Sequence, residues 1–312
     1  MSIPQLIITE FVPLAALTSW RIGGTARYLA TVRSPAGVAE AIAFADARML
    51  PVWILGGGSN MLISDDGLPG VVIRMRDMHV DIKQNADTAE VHIGAGAPMA
   101  GTVRQLVNAG WSGMAWAEGL PGTVGGAVYG NAGCYGGAMA DTVQSIDLWR
   151  AGCLDTVLPA TLGFGYRTSA LKRHAVPQLV HGMHVGDILP IVVGATIRLT
   201  SADPVQLATE LAETAVLRKG KTPQGSSCGS VFKNPAGDSA GRLIEAAGLK
   251  GYAVGSAVIA ERHANYIINR GGATSADVRA LVSHIRAAVA AHSGVTLEPE
   301  VQILGEEWPF NA

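Results

Sequence analysis

At 312 residues the chain is long enough for two or three domains, and with 48% hydrophobic residues it can bury several apolar layers. A formal net charge of −2, with no basic stripe and no polybasic cluster, argues against nucleic-acid and membrane-surface partners and for a small ligand. Cys134, Cys153 and Cys228 lie far apart with no CxxC pair, so neither a zinc site nor a disulfide framework is indicated, and a reducing compartment fits best.

The N-terminal stretch Met1–Trp20 carries Glu10 and lacks a basic region, so it does not read as a signal peptide, and no segment reads as a membrane span; the expected location is the cytoplasm. After an extended approach to Arg21-Ile-Gly-Gly-Thr-Ala26, an amphipathic helix is expected over Pro35–Arg48 and a short buried strand over Val52–Leu55. The turn Gly56–Ser59 follows. A helix-like segment near Met61 is stopped by Asp65-Asp66-Gly67 and Pro69-Gly70, and Val71–Arg74 returns as a strand, giving a βαβ-like unit.

Ala89–Ile93 reads as a strand and Pro98–Ala109 as a helix. The uncharged run Gly119–Gly137 comes next and is too glycine-rich to prefer a helix. Val143–Trp149 and Ile191–Leu199 read as strands, Pro204–Arg218 as a helix, and Lys219–Gly225 as a linker. The last block is expected to hold a helix at Ser239–Ala247, capped by Asp238 or Ser239 and stopped at Gly248, then a strand at Asn265–Asn269. A long helix from Ser275 to His292 and a final strand at Glu300–Leu304 complete it.

Glycine is the compositional outlier, with 39 residues. It allows positive φ and lets main-chain amides approach a ligand closely, so the runs Gly56-Gly-Gly-Ser-Asn60 and Gly119–Gly137 together fit a cradle for an anionic pyrophosphate; tight turns between strands are the alternative for either run alone. The common nucleotide signatures fail. Gly220-Lys221-Thr222 resembles the end of a phosphate-binding loop, but Ala215 stands where its first glycine belongs, and no GxGxxG occurs.

What remains is an ordered set of motifs: Arg21-Ile-Gly-Gly, Leu55-Gly-Gly-Gly-Ser-Asn60, the Gly119–Gly137 run, Gly165-Tyr-Arg-Thr-Ser169, Ser227-Cys-Gly-Ser-Val-Phe-Lys-Asn-Pro235, Ala240-Gly-Arg-Leu-Ile-Glu245, His263-Ala-Asn-Tyr-Ile-Ile-Asn269 and Leu297-Glu-Pro-Glu-Val301. In this order, from about Leu17 to Gly305, they resemble the UDP-N-acetylenolpyruvoylglucosamine reductase family. The resemblance implies an α+β protein with a vanillyl-alcohol-oxidase/PCMH-type FAD-binding fold in two subdomains, residues 1–78 and 79–203, plus a C-terminal α/β substrate-binding domain, 204–302, and a tail, 303–312. It further implies NADPH-dependent reduction, through non-covalent FAD, of UDP-N-acetyl-3-O-(1-carboxyvinyl)-glucosamine to UDP-N-acetylmuramate for peptidoglycan synthesis, by a monomer.

Residue by residue, the resemblance assigns Gly56, Gly57, Gly58, Ser59 and Asn60 to the FAD pyrophosphate, and Pro121, Gly122, Gly125, Gly126 and Ala132 to the flavin and its ribityl chain. The first turn has no His, and Cys134 reads as a small packed thiol. Arg167 is assigned to the substrate carboxylate, which a planar guanidinium can grip with two hydrogen bonds; alone it would read as a surface or salt-bridged arginine. Ser230 is assigned as proton donor, although alone it would read as a turn serine, and Glu300 as the carboxylate acting with Arg167 as charge develops. Glu298 is expected to be solvated.

Tyr166, Lys221, Asn234 and His263 are candidate substrate contacts, and the resemblance leaves Lys250 and Asn265 without a definite role. Two departures stand out. Leu171 replaces an aromatic residue of the family while Lys172 is kept, and a tyrosine-bearing insertion of one branch is absent, which places the chain with the shorter branch. No metal is expected.

Overall fold

The computed structural model describes residues 5–173 and 190–310. By internal contacts the chain divides into two units. The first takes the chain up to Glu10, Tyr28–Gly57 and Pro69–Lys219, and the second takes Phe11–Arg27, Gly58–Leu68 and the chain from Gly220 onward.

A four-stranded sheet runs in the order β1 (Leu6–Pro13), β2 (Thr25–Val32), β4 (Leu68–Met75), β3 (Val52–Leu55), the last two pairing in parallel with Val52 opposite Val71. Helix α1 (Pro35–Asp46) starts where expected, because the Ser34 side chain accepts the Gly37 amide at 3.1 Å and Pro35 supplies a preset first turn. The larger sheet is antiparallel and lies further along the first unit. Its order is β8 (Cys153–Val157), β7 (Val143–Arg150), β9 (Ile191–Ser201), β6 (Thr88–Gly94), β5 (Val80–Asn85), with the short strand Trp111–Ser112 also on β9.

Alternation sets its faces. On β6 Ala89, Val91 and Ile93 are buried while Glu90 and His92 point the other way, and on β7 Ile146 and Leu148 are buried while Asp147 is on the opposite face. Helix α2 (Met99–Asn108) buries Met99, Thr102, Val103, Leu106 and Val107, one stripe at helical spacing, in the same apolar core.

The run Gly119–Gly137 contains a helix after all. Residues Val124–Gly130 form α3, where glycine content argued against one. Local capping outweighs propensity: the Val124 and Gly125 amides donate to the carbonyls of Ala97 and Ala95, both at 2.9 Å, and the Thr123 hydroxyl faces the Gly126 amide at 3.5 Å. Asn131 then closes the helix in a left-handed conformation, φ +46°.

Helix α4 (Pro204–Lys221) runs three residues beyond its expected end and takes in the start of the expected linker. In the second unit the segment expected to be helical near Met61 is the strand Met61–Ile63, paired in parallel with Gln302–Leu304. Its apolar triplet is too short to separate helix from strand by period, and the partner strand decides. Helix α5 (Ala240–Ala246) is capped by Ser239, whose hydroxyl accepts the Arg242 amide at 3.3 Å, while Asp238 pairs with Arg242.

A three-stranded sheet of Ala253–Val254, Ala257–Ile259 and Ile267–Asn269 backs onto α6 (Ser275–Ser293), which has a Thr274/Asp277 capping box and ends at Gly294 with φ +72°. Trp20, Phe232, Leu243, Ile259, Leu281 and Ile285 lie in the core of this unit. Sequence reading missed β1, most of β2, β5 and β8. In β5 the burial pattern is nearly all exposed, so no apolar alternation marks it.

Candidate active site

In the first unit the glycine loops meet backbone to backbone. A methyl group on Gly57 would lie 2.5 Å from the Gly122 Cα, and one on Gly56 2.7 Å from the Thr123 hydroxyl. Gly125 is equally constrained, 2.6 Å from the Ala95 methyl. Much of the glycine is therefore spent on loop against loop, which composition alone did not distinguish from contact with a ligand.

A different need applies to Gly126 and Gly130. They are four apart on the face of α3 opposite its buried residues Val124, Gly125, Ala127 and Val128; Gly126 is exposed, and a methyl on Gly130 would meet nothing within 4 Å. Mid-helix glycine costs roughly 1 kcal/mol relative to alanine. A helix that leaves one face bare at that cost suits a flat aromatic ring lying against its backbone, so these residues fit a flavin.

Arg167 stands beside that helix in the same unit. Gly165 and Thr168 exchange two backbone hydrogen bonds, 3.0 and 3.2 Å, closing a two-residue turn on Tyr166 and Arg167. Arg167 has φ +56°, in the left-handed region that costs a non-glycine residue roughly 1–2 kcal/mol. The turn is tied down on both sides: Asn131 at the end of α3 donates to the Gly165 carbonyl at 2.9 Å, and the fully buried Ser169 hydroxyl donates to the Tyr129 carbonyl at 2.6 Å. Lys172 donates to the Arg167 carbonyl at 3.3 Å, and Leu171, at the departed position, is buried. Tyr166 is well exposed.

Arg218 near the end of α4 was not singled out by sequence, since nothing in a helical run marks one arginine. Its Nε donates to the Glu118 carbonyl at 2.7 Å and its Nη2 to the Cys134 sulfur at 3.1 Å, so it grips the second glycine loop. Cys134 in turn donates to the Trp116 carbonyl at 3.1 Å. Burial raises its pKa, opposed by the cations of Arg218 and then Arg167, in keeping with a packed thiol.

The second unit brings Ser230 and Glu300 together. Val231, next to Ser230, accepts the Glu300 amide at 2.8 Å, and Ser230 bridges to Tyr266. Asn265, only 3% exposed, holds the following residue from both sides: its Oδ1 accepts the Phe232 amide at 2.9 Å and its Nδ2 donates to the Phe232 carbonyl at 2.8 Å. That is the role sequence left open. Asn60 in the first glycine turn donates through its side chain to the Glu300 carbonyl at 3.2 Å and accepts the Gln302 amide at 3.1 Å. Gly58, φ +63°, is needed because the Leu17 carbonyl oxygen would lie 2.1 Å from a methyl there.

Cys228 is buried in this strip, and its thiol pKa is pushed well up by burial and then by the Glu300 carboxylate. Glu298 is largely exposed and pairs with Lys233 at 2.5 Å. Asn234 accepts the Ala240 amide at 3.1 Å. The His263 ring lies tilted against Tyr266, ring centroids 4.8 Å apart, and accepts the Asn265 amide; its pKa is lowered by burial, with Lys250 and Lys221 adding to the effect. Lys250 pairs with Glu245 at 2.5 Å.

An FAD-binding fold carrying these loops and side chains defines an FAD-dependent oxidoreductase, and residues 26–152 match the family described as FAD binding domain. Residues 221–304 match the C-terminal domain of UDP-N-acetylenolpyruvoylglucosamine reductase. The chain belongs to the UDP-N-acetylenolpyruvoylglucosamine reductase family. Proteins of that name from Chloroflexus aurantiacus and Chloroflexus aggregans are 49% and 46% identical to it, each over 94% of this chain and 96% of the relative. The crystal structure of the Thermus caldophilus reductase superposes with a TM-score of 0.79 at 34% identity, covering 96% of this chain and 99% of that one. The expected α+β class, an FAD-binding fold with an added C-terminal domain, is thereby the observed one. Among the described residues no helix is long and apolar enough to cross a membrane.

Proposed function

We propose that this protein uses FAD and NADPH to reduce the enolpyruvyl group of UDP-N-acetyl-3-O-(1-carboxyvinyl)-glucosamine, giving UDP-N-acetylmuramate for peptidoglycan synthesis, with Arg167, Ser230 and Glu300 as its catalytic residues. The observation that carries the reading is Arg167: a residue that glycine or asparagine would fill more cheaply is kept as arginine in a left-handed turn anchored to α3.

FAD, when bound, would supply the hydride-transfer chemistry between NADPH and the substrate's terminal enol carbon. Gly56, Gly57, Gly58, Ser59 and Asn60 would hold its pyrophosphate through main-chain groups, and Pro121, Gly122, Gly125, Gly126 and Ala132 would line the ring and ribityl chain. Arg167 grips the substrate carboxylate in a two-pronged contact and holds the enol ether in one orientation. As negative charge grows on that carboxylate end, the Arg167 guanidinium stabilises it, and Glu300, in its protonated form, donates a hydrogen bond at the same end. Ser230 Oγ–H gives its proton to the carbon bearing the ether oxygen. The balance is one hydride and one proton added across the double bond, and the serine alkoxide is reprotonated from solvent.

Tyr166, Lys221, Asn234 and His263 contact the sugar nucleotide, with Lys221 on the diphosphate. Residues 1–78 and 79–203 serve the cofactor and 204–302 the sugar nucleotide. The chain works as a cytoplasmic monomer. NADPH and the sugar nucleotide using one site in turn gives ping-pong kinetics.

The test is anaerobic. NADPH should bleach the purified yellow protein, and enolpyruvyl-UDP-GlcNAc should restore the colour with formation of UDP-N-acetylmuramate. Recovery of colour only on admitting oxygen would instead make it an oxidase.

A further inference from the structure

On the solvent-side face of the larger sheet, away from the apolar core, four side chains form an unbroken string. His79 Nδ1 lies 2.7 Å from Asp77 Oδ1, His79 Nε2 lies 2.9 Å from His92 Nδ1, and His92 Nε2 lies 2.6 Å from Asp147 Oδ2. Thr156 on β8 donates to the other oxygen of Asp147 at 2.6 Å. The string crosses β9, from β6 to β7, over Gly194. A methyl there would lie 3.1 Å from the Asp147 carboxylate and 3.2 Å from the His92 ring, so glycine is what lets the two strands' side chains meet.

With the N–H of each imidazole directed to its own carboxylate, the tautomer that such a contact favours, His79 Nε2 and His92 Nδ1 present lone pairs to each other. Two lone pairs that converge in this way can be bridged by one metal ion. A third donor is at hand. Asp81 sits directly across from His92 in the β5–β6 register and two residues after His79, so all three share one face, and their ligand atoms lie within 4.8 Å of one another.

We propose that His79, His92 and Asp81 form a site for a divalent transition-metal ion such as Zn²⁺, with Asp77 and Asp147 as the carboxylates that orient the two imidazoles. Two nitrogens bound at about 2.0–2.1 Å in tetrahedral geometry stand about 3.3 Å apart, so the histidines need open by only a few tenths of an ångström. Imidazole-rich donor sets suit Zn²⁺, Ni²⁺ and Cu²⁺, and the half-exposed edge position leaves room for a water as fourth ligand. Binding involves no redox step.

The experiment uses tag-free, chelator-treated, FAD-loaded protein titrated with Zn²⁺ by calorimetry. One ion per chain is expected, with His79→Gln and His92→Ala each weakening binding by at least about 100-fold and Asp147→Asn by about 10–100-fold. Circular dichroism and retained flavin check that each variant is folded. If His92→Ala does not fold, His79→Gln, at a more peripheral position, carries the test. Cu²⁺ in place of Zn²⁺ should give an electron-spin-resonance spectrum split by two imidazole nitrogens. Binding by the wild type that is unchanged in His79→Gln, or no binding at all, overturns the proposal.

Discussion

The two regions that carry the proposed chemistry are built on opposite principles. Around α3 and the glycine loops the first unit works by omission: Gly57 and Gly125 remove side chains that would clash with Gly122 and Ala95, and Gly126 and Gly130 leave one face of α3 bare. Around Ser230 and Glu300 the second unit works by fixation, with Asn265 saturating both polar groups of Phe232 and the Glu300 amide tied to Val231. A region made by omission should tolerate loss of individual hydrogen bonds and fail on added volume, and a region made by fixation should do the reverse.

The largest expected effect tests the chemistry of the fixed region. Ser230→Ala should leave flavin reduction by NADPH nearly intact and slow reoxidation by the enolpyruvyl nucleotide about 10²–10⁴-fold, the usual range for lost acid catalysis. Stopped-flow traces of the two half-reactions, recorded separately, decide it: equal slowing of both would remove Ser230 from proton donation. Arg167→Lys comes next, with an expected loss of about 10²–10³-fold in the same half-reaction, because an ammonium cannot reproduce the fork. Wild-type turnover in that variant would return Arg167 to the status of a surface cation.

Stability separates the regions further. Asn265→Ala orphans the Phe232 amide and carbonyl in a buried place, at about 1–3 kcal/mol per group, so its urea midpoint should fall more than that of any single loop hydrogen-bond deletion such as Asn131→Ala. Gly57→Ala should cost about 1–3 kcal/mol as well, through the clash with Gly122, and should release flavin at concentrations where the parent holds it. If Gly57→Ala binds FAD as tightly as the parent, the close approach of the loops does not shape the cradle.

The sequence was most readable where one residue type does one job. The helices starting at Pro35, Ser239 and Ser275, and the buried strands at Val52 and Ile191, follow from caps and periodicity. It failed where distant partners decide. The Met61–Ile63 triplet is a strand because Gln302–Leu304 lies beside it, and α3 is a helix because Ala95 and Ala97 accept its first amides. Asn265 and Arg218 act on backbone groups far along the chain, which no local pattern announces. The left-handed turn at Arg167 was equally hidden, since arginine gives no conformational signal.

The smallest effect concerns His263, which belongs to the fixed region yet carries a titratable ring. Burial lowers its pKa below the ordinary histidine value of about 6.5, with Lys250 and Lys221 pushing the same way and Glu245 opposing. In the window just below that value the unfolded chain therefore binds more protons at this position than the folded one. Its contribution to stability is fully present above the ordinary value and is lost as pH falls through the folded one. Urea midpoints measured from pH 8 down to pH 5 should accordingly fall less steeply for His263→Gln than for the parent. The α3 side offers a matched control: Asn131→Ala removes a hydrogen bond but no titrating group there, so its curve should run parallel to the parent's. Parallel curves for His263→Gln too would mean that the ring is as well solvated in the fold as out of it, and its place beside Tyr266 would then carry no electrostatic cost.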